Sequence, residues 1–252
     1  MLRAYIYKIL RSSLTYVGIL GTVFICSTHI MTNSLSNSVS VLYHMDLFFG
    51  LDQTRKPLTL FAALPFAGNF AEEWESGVST QCAARCGVKK YLAANAVLCA
   101  AVSFLTVLIG MFLFAWIYSF FIPFYEPNNN IDNYDFGYIA ANGMPWLYYA
   151  IRVSIYALSV AMWCMTGLLL SALLPNKFVA VCTPLITSYV VERFTIGLPG
   201  DFNLWYLSLG RLKSDNEVFK LLYIVGVFML LSAALGSVFW FIAEKRLQNE
   251  FT

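Results

Sequence analysis

Ionisable side chains are scarce in this sequence. Only 12% of its 252 residues are Asp, Glu, Lys or Arg, and only two are histidine, whereas about a quarter of the residues in a soluble domain are charged. Hydrophobic residues make up 59%. This composition excludes an ordinary soluble domain and predicts a polytopic protein of the lipid bilayer. The net charge is only +2 and no basic tract is long, so nothing indicates a nucleic-acid partner.

Motifs that bind nucleotides or activate a nucleophile are also absent. The sequence contains no G-x-x-x-x-G-K-[ST] loop and no G-x-S-x-G turn. The chain therefore cannot bind and hydrolyse ATP in the P-loop manner. The two histidines, His29 and His44, form no metal-binding constellation, and a lone histidine near a helix end is more often a structural hydrogen-bonding group.

One pair of carboxylates is similar to part of a known motif. Glu72 and Glu73 resemble the opening of the EExxxR motif of the CPBP-type intramembrane proteases, but Gly77 stands where that motif needs arginine. Those proteases also need histidines deep in later helices to bind metal or activate water. Both histidines here lie upstream of the pair, so an intramembrane enzyme is the weakest functional alternative.

Cysteine occurs six times, mostly in or beside apolar runs, where it behaves as a small hydrophobic residue. Cys82 and Cys86 have C-x3-C spacing, yet no second Cys or His pair accompanies them, and a structural zinc site needs four ligands. We therefore predict no metal and no cofactor in this chain. The six positions are Cys26, Cys82, Cys86, Cys99, Cys164 and Cys182.

Apolar runs predict an all-α fold with six transmembrane helices in one domain, residues 1–252. A crossing needs about 20 apolar residues, and the predicted spans are 13–31, 57–75, 92–124, 147–174, 178–196 and 218–243. The second is the weakest, because its apolar part, Leu58–Ala71, is short. The opening MLRAYIYKILRSS predicts an amphipathic interfacial helix. The serine- and asparagine-rich residues 32–56 are predicted as an outer segment.

Polar side chains inside the predicted helices indicate packing more than an ion path. Asn69 and Asn95 are predicted to be hydrogen-bonding residues between helices, and the packing faces are predicted to use Ala and Ser in place of a GxxxG pattern. Arg152 and the pair Glu192–Arg193 lie close to outer helix ends. We therefore expect these charges to snorkel to the membrane surface.

The distribution of basic residues predicts that both termini face the cytoplasm. With that orientation, nine of the sixteen lysines and arginines lie in cytoplasmic segments. The loop from Tyr125 to Trp146 would then be outside, and it contains Glu126, Asp132 and Asp135 but no cation. The nine cytoplasmic cations are Arg3, Lys8, Arg11, Arg85, Lys89, Lys90, Lys177, Lys245 and Arg246.

A charged segment between the second and third predicted spans is the strongest functional signal. It has an acidic end, a small-residue break at Gly77–Thr80 and a basic end, Gln81–Lys90, which is predicted to form a short amphipathic helix at the membrane surface. We predict that it contacts a partner, although a plain solvated loop is the alternative. The candidate interface residues are Glu72, Glu73, Glu75, Gln81, Arg85, Lys89 and Lys90.

Four segments resemble the permease subunits of ABC transporters of the ABC-2 class (type V exporters), particularly small six-span permeases of bacterial peptide-antibiotic export and immunity systems. The opening MLRAYIYKILRSS is similar to the family's interfacial connecting helix. The segment FAEEWESGVSTQCAARCGVKKYLAAN resembles its cytoplasmic stretch between spans two and three. SALLPNKFVAVCTPLI resembles the inner turn between spans four and five, and EKRLQNEFT resembles the segment that follows span six.

The resemblance implies a coupling helix near Thr80–Lys90 that fits into a cleft of a separate ATP-binding subunit. It also implies a permease homodimer or heterodimer in the bacterial cytoplasmic membrane, with ATP and magnesium held by the partner subunit. The cargo would be amphipathic or peptide-like. Two alternatives remain: a non-transporting membrane scaffold or sensor, and the less favoured intramembrane enzyme.

Overall fold

Helices form every regular element that the computed structural model describes, in residues 2–33, 40–126, 135–214 and 216–251. The all-α prediction is therefore confirmed for these residues. In chain order the helices are α1 (Leu2–Arg11), α2 (Ser13–Asn33), α3 (Val41–Gly50), α4 (Asp52–Arg55), α5 (Pro57–Ala63), α6 (Asn69–Glu75), α7 (Val78–Cys86), α8 (Val88–Tyr118), α9 (Gly137–Ala141), α10 (Pro145–Leu173), α11 (Lys177–Thr195), α12 (Leu204–Ser208) and α13 (Glu217–Phe251).

Helix α10 forms the centre of the bundle, because most of its apolar length is buried against neighbouring helices. It packs against α5, α8, α11 and α13, while α2 packs on the outside against α5 and α8. Tyr149, Ala157, Cys164 and Leu168 of α10 are fully buried. The core therefore runs along α10, and α13 remains largely exposed on one side.

The bundle has two ends that differ in chemistry. We call the end that holds α1, α6, α7 and the last turns of α13 the terminal end, because both ends of the described chain lie there: Tyr5 of α1 contacts Glu73, and Arg246 of α13 contacts Ala172 and Trp74. The opposite, distal end holds α3, α4, α9 and α12.

Three of the described helices are long and apolar enough to cross a membrane: α8, α10 and α13. A fourth crossing is formed if α1 and α2, which are bent by 56° about Ser12, are counted as one broken span. These helices correspond to the predicted spans 92–124, 147–174, 218–243 and 13–31. Helix α11 corresponds to 178–196 but does not reach the same combination of length and apolar character.

The predicted span 57–75 is not one regular helix, so that prediction is wrong in its geometry. It consists of α5 and α6, which are separated by tight turns at residues 64–68. Pro65 cannot donate a helical hydrogen bond, which favours the break. Lys177 lies so close to Gly68 that a Cβ there would be 2.7 Å from its Cγ atom. The segment still joins the distal end to the terminal end.

The outer segment predicted for residues 32–56 is also more ordered than expected. Residues 34–39 lie outside the described part of the chain, but α3 and α4 follow them as helices, and Ser40 caps α3 by accepting a hydrogen bond from the Tyr43 amide, 3.3 Å. Leu42, Met45 and Phe49 of α3 are buried. The distal end is thus covered by a packed helix.

Glycines make several of the closest helix contacts, so the prediction that Ala and Ser replace glycine at the packing faces is wrong. A Cβ on Gly110 of α8 would lie 2.6 Å from the Thr22 side chain of α2, and one on Gly21 would lie 2.0 Å from the Phe61 ring. A Cβ on Gly167 of α10 would lie 2.3 Å from the Ala180 carbonyl oxygen. Glycine thus lets a neighbouring helix approach closely at these points, as is usual between membrane helices.

Substitution of Gly167 by alanine tests this packing. Because the added methyl group meets backbone rather than a flexible side chain, α10 and α11 must move apart, and we expect a loss of about 1–3 kcal/mol in the free energy of unfolding. Gly226→Ala is the matched control, since a Cβ added there would meet no atom within 4 Å and alanine favours the helix. Thermal unfolding in detergent measures both variants. Equal midpoints would contradict the close contact.

Candidate functional site

A buried carboxylate, Glu73 of α6, lies at the centre of the terminal end. It is 5% exposed, and one of its oxygens accepts hydrogen bonds from the hydroxyls of Tyr5 and Tyr91, both 2.8 Å long. Its other oxygen accepts a 3.0 Å hydrogen bond from the Asn69 side-chain amide and lies 3.6 Å from the Lys8 ammonium. The charge of Glu73 is therefore held by four groups that come from three helices.

A second row of polar groups extends this network. The Lys8 ammonium donates to the Asn69 side-chain oxygen, 2.8 Å, and the Asn69 amide also lies 3.3 Å from the Asn95 oxygen. The prediction that Asn69 and Asn95 bond between helices is thus confirmed. We call Tyr5, Lys8, Asn69, Glu73, Tyr91 and Asn95 the Glu73 network; it joins α1 to α6 and α8. Buried polar groups that are fully paired hold helices in one arrangement.

Helix α7 projects from this network as a short separate element. Gly77 (φ +70°) precedes it and Gly87 (φ +84°) follows it, and both are backbone conformations that only glycine adopts without strain. The predicted amphipathic helix through Lys90 is therefore wrong at its end, because α7 stops at Cys86. Ser79 and Ala83 are buried, whereas Gln81, Ala84 and Arg85 are exposed. The helix thus presents a polar face to solvent.

The structure divides the predicted interface residues into four sets. Glu73 is buried in its network, and Glu72 pairs with Lys177 at 2.7 Å on the surface. Glu75, Gln81 and Arg85 are exposed around α7. Lys89 and Lys90 are exposed but belong to the first turn of α8. Glycine at position 87 thus separates two groups that appear continuous in the sequence.

Sequence reasoning missed one anchor of α6. The guanidinium of Arg246 lies 4.7 Å from the centre of the Trp74 ring and donates to the Ala172 carbonyl, 2.6 Å. This contact ties the end of α13 to both α6 and α10. The sequence indicates only a cytoplasmic charge at Arg246, because its spacing within α13 carries no information on contacts with α6.

The distal end contains a buried ion triad. Glu192 of α11 lies 3.1 Å from the Arg55 guanidinium and 2.5 Å from the Lys56 ammonium. Arg55 also donates to the Ser208 hydroxyl, 2.9 Å, and Lys56 to the Ser188 carbonyl, 3.1 Å. All three charged side chains are at most 7% exposed. Two cations thus share one carboxylate in the interior.

A second buried pair lies beside the triad. Arg152 of α10 is 3.0 Å from the Asp46 carboxylate of α3 and also donates to the Leu209 carbonyl. The Tyr148 hydroxyl donates to the same carboxylate, 2.8 Å. The snorkelling prediction is therefore wrong for Arg152 and Glu192, which are buried and paired. Arg193 is exposed.

A third distal cluster centres on Lys220 of α13. Its ammonium lies 2.5 Å from Asp135 and 3.1 Å from Glu217, over the ring of Phe136. Asp132, which was predicted for the same outer loop, lies outside the described residues. The triad thus connects α4 to α11, the second pair connects α3 to α10, and the third cluster connects α13 to the residues just before α9.

Two observations concern metal-binding and nucleophilic groups among the described residues. No group of three His, Cys, Asp or Glu side chains there could hold a metal ion. Burial, reinforced by the charge of Glu73, raises the pKa of the Cys82 thiol, so this cysteine is not an activated nucleophile. Comparison of the chain with family models, curated proteins and solved structures finds no match in any of the three.

Proposed function

We propose that this chain is the membrane-spanning subunit of an ATP-driven ABC exporter and that α7 is the surface on which a separate ATP-binding subunit docks. One observation carries this proposal. Helix α7 is a short exposed helix, held between two glycine hinges and joined directly to the buried Glu73 network. An ATP-binding subunit that binds α7 would move several membrane helices at once, because α7 is connected directly to α6 and α8 in the chain.

In this proposal the chain crosses the membrane six times. The crossings are α2, the broken pair α5–α6, α8, α10, α11 and α13. A broken span is acceptable inside a bundle, where the freed backbone groups find partners in neighbouring helices. An even number of crossings returns the chain to its starting side and agrees with the location of α1 and of the last turns of α13 at the same end.

The charge distribution supports a cytoplasmic terminal end in a bacterial cytoplasmic membrane. In the sequence the margin is only nine cations to seven. Four of the seven distal cations are paired with buried or half-buried carboxylates: Arg55, Lys56, Arg152 and Lys220. Lys8 and Lys177 of the terminal end are paired as well, and the positive-inside rule counts lysines and arginines rather than net charge, so the support comes from the nine-to-seven count itself.

The Glu73 network gives the proposed motor a mechanical path. A displacement of α7 shifts α6, and Glu73 passes that shift to α1 through Tyr5 and to α8 through Tyr91. Interlocked buried groups move as a rigid body rather than deform. The working unit would be a homodimer or heterodimer of such chains with two ATP-binding subunits that hold ATP and magnesium, and the cargo would be amphipathic or peptide-like.

Charge reversal on α7 tests the docking. We expect Arg85→Glu to reduce the amount of P-loop ATPase subunit that co-purifies from native membranes by about tenfold or more, because reversed charge at an interface repels its partner. Lys213→Glu is the control: it reverses an exposed cation at the distal end and should leave co-purification unchanged.

Cysteine accessibility provides the second arm of this test. On a cysteine-free background, a cysteine at exposed position Gln81 should resist an impermeant thiol reagent in intact cells and react in opened cells. Labelling in intact cells would place α7 outside, beyond the reach of a cytoplasmic motor. A wild-type chain that brings down no ATPase would favour a scaffold or sensor instead.

A further inference from the structure

An open apolar cleft lies between α8, α10 and α13, with a volume of about 770 Å³. Small residues of α8 and α13 form its walls, including Ala93, Ala100 and Gly236. Phe104, Met165 and Trp240 add larger apolar surface. The cleft borders the exposed side of α13 and so opens toward the surroundings of the bundle rather than into its core.

The cleft occupies the half of the bundle near the terminal end, with two lysines at its mouth. Ala93, its first lining residue on α8, follows Lys89 by four residues and Lys90 by three. Residues three and four apart share one face of a helix. Lys89 and Lys90 therefore lie on the same face of α8 as Ala93, one turn nearer the membrane surface, and both are exposed.

We propose that this cleft binds an acyl chain of an anionic lipid, with the lipid phosphate held by Lys89 and Lys90. This inference adds a lipid site to the exporter proposed above. It rests on that proposal only in assigning the lipid to the cytoplasmic leaflet. It also assigns Lys89 and Lys90 to the lipid rather than to the ATP-binding subunit. The docking surface then consists of Gln81 and Arg85 of α7 together with Glu75 at the end of α6.

The polarity of the walls favours an acyl chain over a polar cargo. The Ser237 hydroxyl donates to the Ala233 carbonyl of its own helix, 2.8 Å, and the Trp240 indole N–H donates to Glu244, 2.9 Å. These polar groups are therefore satisfied within α13 and need no partner in the cleft. A bound chain gains apolar contact there without breaking either of these two hydrogen bonds.

The volume of the cleft is about 770 Å³. Ligand sites of about 300–1,000 Å³ suit single small molecules. Symmetric pairing of two copies through this cleft would also bring their Lys89 and Lys90 side chains toward one another, which is unfavourable.

The charge at the mouth selects an anionic headgroup. Each lysine near an anionic membrane surface contributes about a factor of five in affinity, so the pair should favour an anionic over a neutral lipid by roughly thirtyfold. The nearest carboxylate on the α13 wall, Glu244, is engaged with Trp240. Phosphatidylglycerol and phosphatidylcholine, which differ in headgroup charge, therefore form a suitable pair of probes.

Photo-crosslinking in vesicles tests the proposal with the full chain. The probe is phosphatidylglycerol with a diazirine in one acyl chain, reconstituted with the protein in phosphatidylcholine vesicles. We expect labelling to concentrate on cleft segments of α8 and α13, and to fall at least about tenfold in Ala100→Phe, which fills the cleft. The double variant Lys89→Gln/Lys90→Gln should label equally with both lipids. Lys245→Gln, an exposed cation of α13 away from this face, should retain the preference.

Each contrary result overturns a specific step. Labelling of Ala100→Phe at the wild-type level, or spread evenly over α2 and α11, would show that the cleft binds no chain. A retained preference for phosphatidylglycerol in the double lysine variant would remove the headgroup site. Efficient disulfide formation between two copies through a cysteine at position 100 would show that a second copy of the chain, and not a lipid, occupies the cleft. Failure of the exporter proposal can be distinguished from failure of the lipid site. It would be seen as the absence of a co-purifying ATPase, whether or not lipid labels the cleft.

Discussion

Glu192→Gln is expected to destabilise the protein by about 3–5 kcal/mol, the typical cost of removing one partner of a buried ion pair. The Glu192 carboxylate lies 3.1 Å from the Arg55 guanidinium and 2.5 Å from the Lys56 ammonium. Glutamine keeps the shape and a hydrogen-bonding oxygen but removes the charge, so both buried cations lose one ionic contact. Thermal unfolding in detergent should show a large drop in the midpoint.

Two neighbouring substitutions make the Glu192 result specific. Arg193→Gln changes the adjacent residue on the exposed side of α11, and a surface change of this kind stays within about 0.5 kcal/mol. Lys56→Met removes one cation but keeps the ionic contact between Arg55 and Glu192, so we expect a much smaller loss in the free energy of unfolding than for Glu192→Gln. An equal loss would contradict the conclusion that the Glu192 carboxylate dominates the stability of the triad.

Glu73→Ala is expected to cost about 3 kcal/mol or more and to release α1 from the bundle. The substitution removes the acceptor of the Tyr5 and Tyr91 hydroxyls and of the Asn69 amide, and each buried donor left unpaired costs about 1–3 kcal/mol. Hydrogen exchange of the α1 amides should accelerate strongly, because Glu73 is the acceptor that holds Tyr5 and an ionic partner of Lys8.

Glu75→Ala is the matched control for this result, since it removes a carboxylate of the same helix that is exposed to solvent. Its effect on stability should stay within about 0.5 kcal/mol. Glu73→Gln keeps one acceptor oxygen and should lie between the two. Slow exchange in α1 of the Glu73→Ala protein would mean that apolar contacts alone, such as Tyr5 against Phe66, hold this helix.

The sequence was sufficient for features that depend on composition along one helix. Length and apolar character predicted α2, α8, α10 and α13, since a bilayer imposes a minimum length on an apolar helix. The predicted ends agree with the observed ones to within about four residues, except at the C-terminal ends of α8 and α13. The amphipathic α1 was predicted from its own pattern of apolar and basic residues. Two features of the candidate site could also be predicted. The charges of the segment around α7 predicted that it is exposed, and the polarity of Asn69 and Asn95 in apolar surroundings predicted their hydrogen bond.

The features that were missed depend on partners far away in the chain. Glu192 looks like a helix-end charge until Arg55, 137 residues earlier, is placed beside it. Helical periodicity reports which face a residue occupies and not which helix meets that face. The break at residues 64–68 has one cause that the sequence shows, Pro65 inside an apolar run, and one that exists only in the packed bundle, the approach of Lys177 to Gly68.

The long separation within the ion triad also has a consequence for biogenesis. Ribosomes add about 5–20 residues per second, so the 137 residues between Arg55 and Glu192 take roughly 10 s to synthesise. During that interval Arg55 and Lys56 have no carboxylate from α11, and lipid cannot accept them without cost. The ionic contacts of Arg55 and Lys56 with Glu192 can therefore form only late in translation, after α11 has emerged.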